Sequence, residues 1–162
     1  MKKFILSNKF RIIIALLILL LFIIFTYPLE MSKIHGNLLN LKDGEFISFK
    51  LNTSELNLEV ARSDSKQEFG LMFRQSIPLN QGMIFISNDF DKKTFWMKNT
   101  LIPLDIIFLD SNLTVVKFYQ NTKINQISEL YPSILPSQYV IEMQGGWAKD
   151  NKLQLNNTFK YI

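Results

Sequence analysis

The sequence contains no cysteine and a single histidine. Without cysteine there can be no disulfide, no thiolate nucleophile, no cysteine-ligated zinc and no iron–sulfur cluster. One histidine, His35, also leaves no Ser-His-Asp, Cys-His or multi-histidine site within one chain. Its polar surroundings are typical of a solvated linker histidine. We therefore expect neither a metal nor a cofactor.

A surplus of one charge sign is also missing from most of the chain. The formal net charge is +4, but Lys2, Lys3, Lys9 and Arg11 all precede the first apolar run. The residues after Glu30 include 14 basic (18 minus those four) and 13 acidic side chains (14 minus Glu30 itself). A nearly neutral domain has no basic face to displace counterions from nucleic acid. The composition therefore argues against nucleic-acid binding.

The chain has no internal repeat, low-complexity tract or glycine-rich phosphate loop, and it has only six glycines. Its 162 residues, 48% of them hydrophobic, allow one globular domain with one added apolar segment. We expect residues 1–30 to form a membrane anchor, residues 31–44 a tether, and residues 45–162 one exported domain.

The apolar segment is Ile12–Tyr27, an unbroken hydrophobic run behind a basic start. As a helix its 16 residues would extend about 24 Å, slightly less than a hydrocarbon core of about 30 Å. Pro28–Lys33 offers no convincing small-x-small cleavage site, which favours an uncleaved anchor over a signal peptide and secretion. The basic flank should stay in the cytoplasm, placing the domain on the extracytoplasmic, periplasmic side.

Alternating apolar residues predict a mainly β domain. Phe46–Leu51 and Leu56–Ala61 read as a hairpin, followed by a short helix that Ser63 or Ser65 caps and that ends at Gly70 or Leu71. The other predicted strands lie near 83–87, 94–97, 104–110, 113–120, 139–143 and 159–162, with a helical turn at 147–151 and a long loop at 121–138. We predict a twisted meander that closes toward a small barrel or sandwich, with one or two short helices.

The stretch Phe95–Asp110, FWMKNTLIPLDIIFLD, places polar groups inside strand-like apolar sequence. In its second half both faces are apolar, which is typical of an internal strand. Asp105 is therefore a candidate buried carboxylate, and it needs a partner because an unpaired buried charge is costly. Lys98, Asn99, Arg74 or backbone amides could supply it.

Four blocks together resemble a known family: ARSDSKQEFGLMFRQSIP at 61–78, GMIF at 82–85, FWMKNTLIPLDIIFLD at 95–110 and YVIEMQGGWA at 139–148. The chain is similar over about residues 55–151 to the domain-of-unknown-function 192 family. This resemblance implies a compact, mainly β, often exported domain and names no reaction or ligand. Relatives often carry a proline-rich or cysteine-bearing segment where this chain has 121–131, and a glycine-containing turn where it has 149–157.

Several residues are candidates for ligand binding. Arg74 either braces Asp105 or Glu142, or lines a pocket for an anionic or carbonyl-bearing ligand. Trp96, Lys98 and Asn99 offer an aromatic face, a cation and an amide near a strand end. A loop could equally cover the Trp96 face without any site being there. The predicted binding set is Arg74, Trp96, Lys98, Asn99 and Asp105.

Asp105 and Glu142 are the one pair that could perform acid–base chemistry, because both lie in strands and neither has an obvious local partner. The favoured function is a non-catalytic envelope module that binds a polar ligand or a protein partner. A hydrolase or lyase acting on saccharide-like substrates with this pair is one alternative. A scaffold without a pocket is the other.

Overall fold

The computed structural model describes residues 8–162, except for the side chains of residues 10 and 11. The predicted basic flank at Lys2 and Lys3 lies outside these residues, as does the Arg11 side chain. One compact unit ends at Asn37, and the other is Leu38–Ile162.

Helix α1 (Asn8–Leu39) contains the apolar segment and has Pro28 inside it. By length and composition the stretch Ile12–Leu39 could cross a membrane, a criterion that signal sequences near an N-terminus also meet. The helix continues through most of 31–44, the segment predicted as a tether. Gly36 does not interrupt it, because one glycine inside a helix costs only about 1 kcal/mol.

The second unit is a mainly β domain with two short helices. Its elements are β1 (Phe46–Leu51), β2 (Ser54–Ala61), α2 (Asp64–Phe69), β3 (Gln81–Asp91), β4 (Thr94–Phe95), β5 (Leu104–Leu109), β6 (Val115–Tyr119), β7 (Tyr131–Pro132), β8 (Ser137–Gln144), α3 (Trp147–Asp150) and β9 (Lys160–Tyr161).

Seven strands form one curled, half-barrel sheet in the order β6-β5-β8-β3-β2-β1-β9, and β4 pairs with β7 in a second, two-stranded sheet. The mainly β prediction is confirmed. Strands β2 and β3 are parallel, and α2 lies in the connection between them, whereas all other paired strands are antiparallel. Strand β8, which comes late in the sequence, lies between β3 and β5, a position that a simple meander does not contain.

Local chemistry explains the elements next to the site. The Ser63 hydroxyl caps α2 by accepting a 3.2 Å hydrogen bond from the Lys66 amide, and Gly70 ends the helix with φ +50°. Strand β5 is buried at every position, as its two apolar faces predict. Strands β5 and β6 pair as predicted, and the Asp110 carboxylate holds their turn by accepting hydrogen bonds from the Asn112 and Thr114 amides.

One face of the sheet carries a buried apolar cluster that the segments after α2 and before β5 cover. Its members are Ala61, Leu71, Ile77, Met83, Phe85, Met97, Ile102, Leu104, Ile106, Phe108, Tyr131 and Val140. Strand neighbours alternate between the two faces, so residues next to these point to the opposite side. We call the side that carries this cluster the cluster face.

Candidate functional site

Asp105 is completely buried and is held by backbone amides. Its carboxylate accepts hydrogen bonds from the amides of Asn121 at 2.7 Å, Gly146 at 3.1 Å and Ala148 at 2.6 Å. Three such donors can satisfy a buried carboxylate, as the sequence required. Asp105 therefore ties the start of α3 and the residue after β6 to strand β5, which is a structural role.

Asp105 and Glu142 lie on opposite faces of the sheet. Asp105 is directly opposite Met143 on the neighbouring strand, and Glu142 is directly opposite Ile106. Directly opposite residues share a face while neighbours along a strand do not, so the two carboxyl groups point to different sides. The structure does not bring this predicted acid–base pair together.

Glu142 is buried on the cluster face without a partner. It lies in a row of directly opposite residues that runs Glu59, Met83, Glu142, Ile106 across four strands. Only 4% of Glu142 is exposed, and within residues 8–162 its carboxyl group makes no hydrogen bond or ion pair. Burial raises the pKa of Glu142 to about 8, and the positive charge of Arg74 opposes this rise without overcoming it.

Glu142 lines a cavity of about 150 Å³ beneath the C-terminal end of α2. Aromatic side chains form much of the wall, namely Phe69, Phe85, Phe95 and Trp96. The Phe85 and Phe95 rings meet edge to face with centroids 4.9 Å apart. The rest of the lining is mixed, because the polar side chains Gln67, Glu68, Thr94, Thr100 and Glu142 also face it. A cavity that combines aromatic walls with a few polar groups has the composition of a small-ligand site. We call it the Glu142 cavity.

Glu59, in the same row, carries two cations. Lys66 Nζ and Arg74 Nη2 each lie 2.5 Å from one of its carboxylate oxygens. Burial alone would raise the pKa of Glu59, but the hydrogen bonds from Lys66 and Arg74 outweigh it and hold that pKa below its ordinary value. Arg74 thus pairs with Glu59 rather than with Asp105 or Glu142, the two partners that the sequence suggested.

The predicted trio Trp96, Lys98 and Asn99 lies at the rim of this region. Trp96 lines the Glu142 cavity and is 39% exposed, and Lys98 Nζ lies 5.0 Å from the centroid of its ring system. Lys98 and Asn99 line a neighbouring pocket that shares Glu68, Phe69 and Met72 with the cavity. Asn99 has φ +53°, and its amide nitrogen lies 4.0 Å from Met72 Sδ.

Two of the predicted residues, Trp96 and Glu142, line the Glu142 cavity, and Lys98 and Asn99 line the pocket next to it. Arg74 is tied to Glu59 beside it, and Asp105 is on the other face. Among residues 8–162 there is no group of three or more His, Asp or Glu side chains that could hold a metal ion.

The sequence reasoning missed Glu59 and the aromatic wall. The Glu59 carboxylate accepts hydrogen bonds from Lys66 and Arg74, which lie 7 and 15 residues away in the sequence. Phe85 and Phe95 read as core residues. The one available signal was the alternation in β8, which puts Glu142 on the same face as the core residue Val140.

Comparison with known proteins places this fold among uncharacterised relatives. A Sinorhizobium meliloti protein described as a candidate transcription regulator superposes with a TM-score of 0.71 at 26% identity, over 75% of this chain and 98% of its own. A Novosphingobium aromaticivorans protein of unknown function superposes with a TM-score of 0.65 at 32% identity, over 71% of this chain and 83% of its own.

No curated protein matches the sequence. The family model that does match spans residues 47–161, which is the whole sheet except the first residue of β1. The GLMFR and FWMKNT blocks, the Asp105 anchor and the Glu142 strand all fall inside this range. The chain therefore belongs to the domain-of-unknown-function 192 family of uncharacterised proteins, DUF192.

Proposed function

We propose that this domain is a non-catalytic module that binds a small polar ligand in the Glu142 cavity. The observation that carries the proposal is a carboxyl group buried in a cavity wall without a protein partner. Leaving such a group unpaired costs free energy of about 1–3 kcal/mol, and a ligand that pairs with it would recover that cost. The aromatic wall would supply apolar contact, and Lys98 and Asn99 would meet the exposed end of the ligand.

The geometry supports binding over the two alternatives. A two-carboxylate hydrolase or lyase needs both groups on one side of the substrate, and Asp105 points away from Glu142 and is occupied by three amides. A scaffold without a pocket would have a filled interior beneath α2, where this domain has a cavity of about 150 Å³.

The name of the Sinorhizobium relative raises nucleic acid as a partner. The near balance of 14 basic and 13 acidic residues after Glu30 does not favour it here. We expect no mobility shift of duplex DNA by the full chain at physiological salt.

The module would work at a membrane surface. Residues 12–27 within helix α1 would span the cytoplasmic membrane, with the basic N-terminal flank inside and the domain outside. Supporting this are the length and composition of the helix and the order of basic residues before apolar ones. A C-terminal alkaline phosphatase fusion should be active, and the mass of the purified chain would show whether the segment is cleaved. An inactive fusion would refute the topology.

The binding proposal can be tested by a small-molecule screen that follows thermal unfolding of the full chain in maltoside micelles. Compounds that raise the melting temperature of the wild type should have no effect on Trp96→Ala, which removes one cavity wall. Phe46→Ala is the matched control, because Phe46 is a partly exposed ring on β1 outside the cavity lining. Equal shifts in Trp96→Ala and the wild type would contradict the proposal.

A further inference from the structure

The two cations nearest to the Glu142 cavity both pair with the same carboxylate, Glu59. The residue row across the sheet holds two acidic side chains, Glu59 and Glu142, and two cations reach it, Lys66 and Arg74. Both cations lie 2.5 Å from Glu59, one on each carboxylate oxygen. Among the described residues Glu142 has no ion-pair partner, so its carboxyl group is free to pair with a cationic ligand.

The walls of the cavity suit a cation as well. The face of an aromatic ring attracts positive charge, and the attraction strengthens where water is excluded. Trp96 already interacts in this way with Lys98 on its exposed side, where Nζ lies 5.0 Å from the ring centroid. Phe85 and Phe95 add two more rings to the cavity wall. Aromatic rings together with a carboxylate are the groups with which proteins recognise organic ammonium ions.

The size of the cavity limits the ligand. Cavities of about 150 Å³ in proteins hold molecules the size of benzene. A substituted ammonium group with a short polar tail is of comparable size. A larger ligand could place only its ammonium end inside, with the rest extending past Trp96, which is partly exposed at the rim.

We propose that the Glu142 cavity binds a small organic ammonium ion, with the Glu142 carboxylate opposite its charge and the rings of Phe85, Phe95 and Trp96 around its alkyl groups. This inference rests on the proposed binding function and names its ligand class. Glu59 has cationic partners in Lys66 and Arg74, and the ligand would supply such a partner to Glu142.

The pairing predicts a proton released on binding. Without a bound cation, Glu142 keeps its proton until the pH approaches its pKa of about 8. A cation would bind the ionised form. The other charged groups on the elements packed against it are Glu59, Lys66, Glu68, Arg74 and Lys98. The hydrogen bonds from Lys66 and Arg74 hold the pKa of Glu59 below its ordinary value, so Glu59 stays ionised from pH 6 to 8. The affinity for the cation between pH 6 and 8 should therefore increase with the ionised fraction of Glu142.

The test uses choline and its uncharged isostere 3,3-dimethyl-1-butanol, measured by calorimetry on the full chain in maltoside micelles. The ionised fraction of Glu142 rises from about 0.01 at pH 6 to about 0.5 at pH 8, so choline should bind about 50-fold more tightly at pH 8. Binding heats in buffers of different ionisation enthalpy should show release of up to one proton.

Glu142→Gln should weaken choline binding at least tenfold and remove its pH dependence. Glu55→Gln removes the same charge from an exposed strand position outside the cavity lining and should leave binding unchanged. Equal binding of 3,3-dimethyl-1-butanol would overturn the ammonium assignment and leave the binding function standing. Affinity that falls from pH 6 to 8, or absence of choline binding at both pH values, would also overturn it.

Discussion

The ionisation of Glu142 should govern how the stability of this domain changes with pH. Its pKa is about 8 in the folded chain and 4.5 as the ordinary value, because burial disfavours the charged form. The folded state therefore binds the proton more tightly than the unfolded state does. The resulting stabilisation is fully present below pH 4.5 and is lost as pH rises through 8.

The magnitude follows from the two pKa values. At about 1.4 kcal/mol for each pH unit, the interval between 4.5 and 8 corresponds to about 5 kcal/mol of unfolding free energy. This is an upper limit, since side chains and water rearrange around a buried charge. Glu142→Gln is neutral at every pH, so its stability relative to the wild type should increase by about 3 kcal/mol between pH 5 and pH 7.5.

The assay is urea unfolding of the full chain in maltoside micelles, followed by the fluorescence of Trp96 and Trp147 at several pH values. The comparison with Glu142→Gln cancels the titration of all other groups. Glu55→Gln, whose side chain is 68% exposed, is the control and should show no pH-dependent difference from the wild type. A constant free-energy difference between Glu142→Gln and the wild type across this range would refute the buried, unpaired carboxyl group on which the site depends.

Three further substitutions test other parts of the structure. Asp105→Asn should lower the unfolding free energy by about 3 kcal/mol or more, because it weakens three charge-assisted hydrogen bonds. Calorimetric melting should show a much smaller loss of stability for Asp110→Asn at the β5–β6 turn. Gly70→Ala should cost about 1–2 kcal/mol in urea unfolding, because Gly70 has φ +50° and ψ −130° and a Cβ atom there would lie 3.4 Å from Phe85; an unchanged midpoint would contradict this. Trp96→Ala should cost no more than about 1 kcal/mol, since its cation–π contact is exposed, and a larger loss of stability would assign Trp96 to the core rather than to a binding rim.

The sequence could predict the features whose causes are local. The β1–β2 hairpin, the short helix that Ser63 caps, the internal strand β5 and the terminal turn α3 all follow from spacing, caps and alternation within a few residues. The sequence also predicts that Asp105 needs a partner, because the strand around it is apolar on both faces. It does not identify the partner, because two of the three amides that bind Asp105 lie more than 40 residues away in sequence.

The candidate site depended on distant contacts and was only partly predictable. Alternation along β8 shows that Glu142 and its immediate neighbours point to opposite faces of the sheet. No residue near it in the sequence reveals that α2 and the β4 segment leave a cavity above it. The choice of Arg74 between Glu59 and Glu142 depends on the parallel pairing of β2 with β3, which brings the two acids into one row. Sequence spacing does not encode that pairing.

The position of β8 has a consequence for how the chain matures. Strands β1 to β3 can pair with each other, as can β5 with β6, but β8 alone joins the two groups, and it is the last strand but one to leave the ribosome. Until residue 144 has been made, β3 and β5 both present open edges that can capture other chains. Premature termination before Ser137 should therefore yield aggregates, and a chaperone that shields these edges would act late in synthesis.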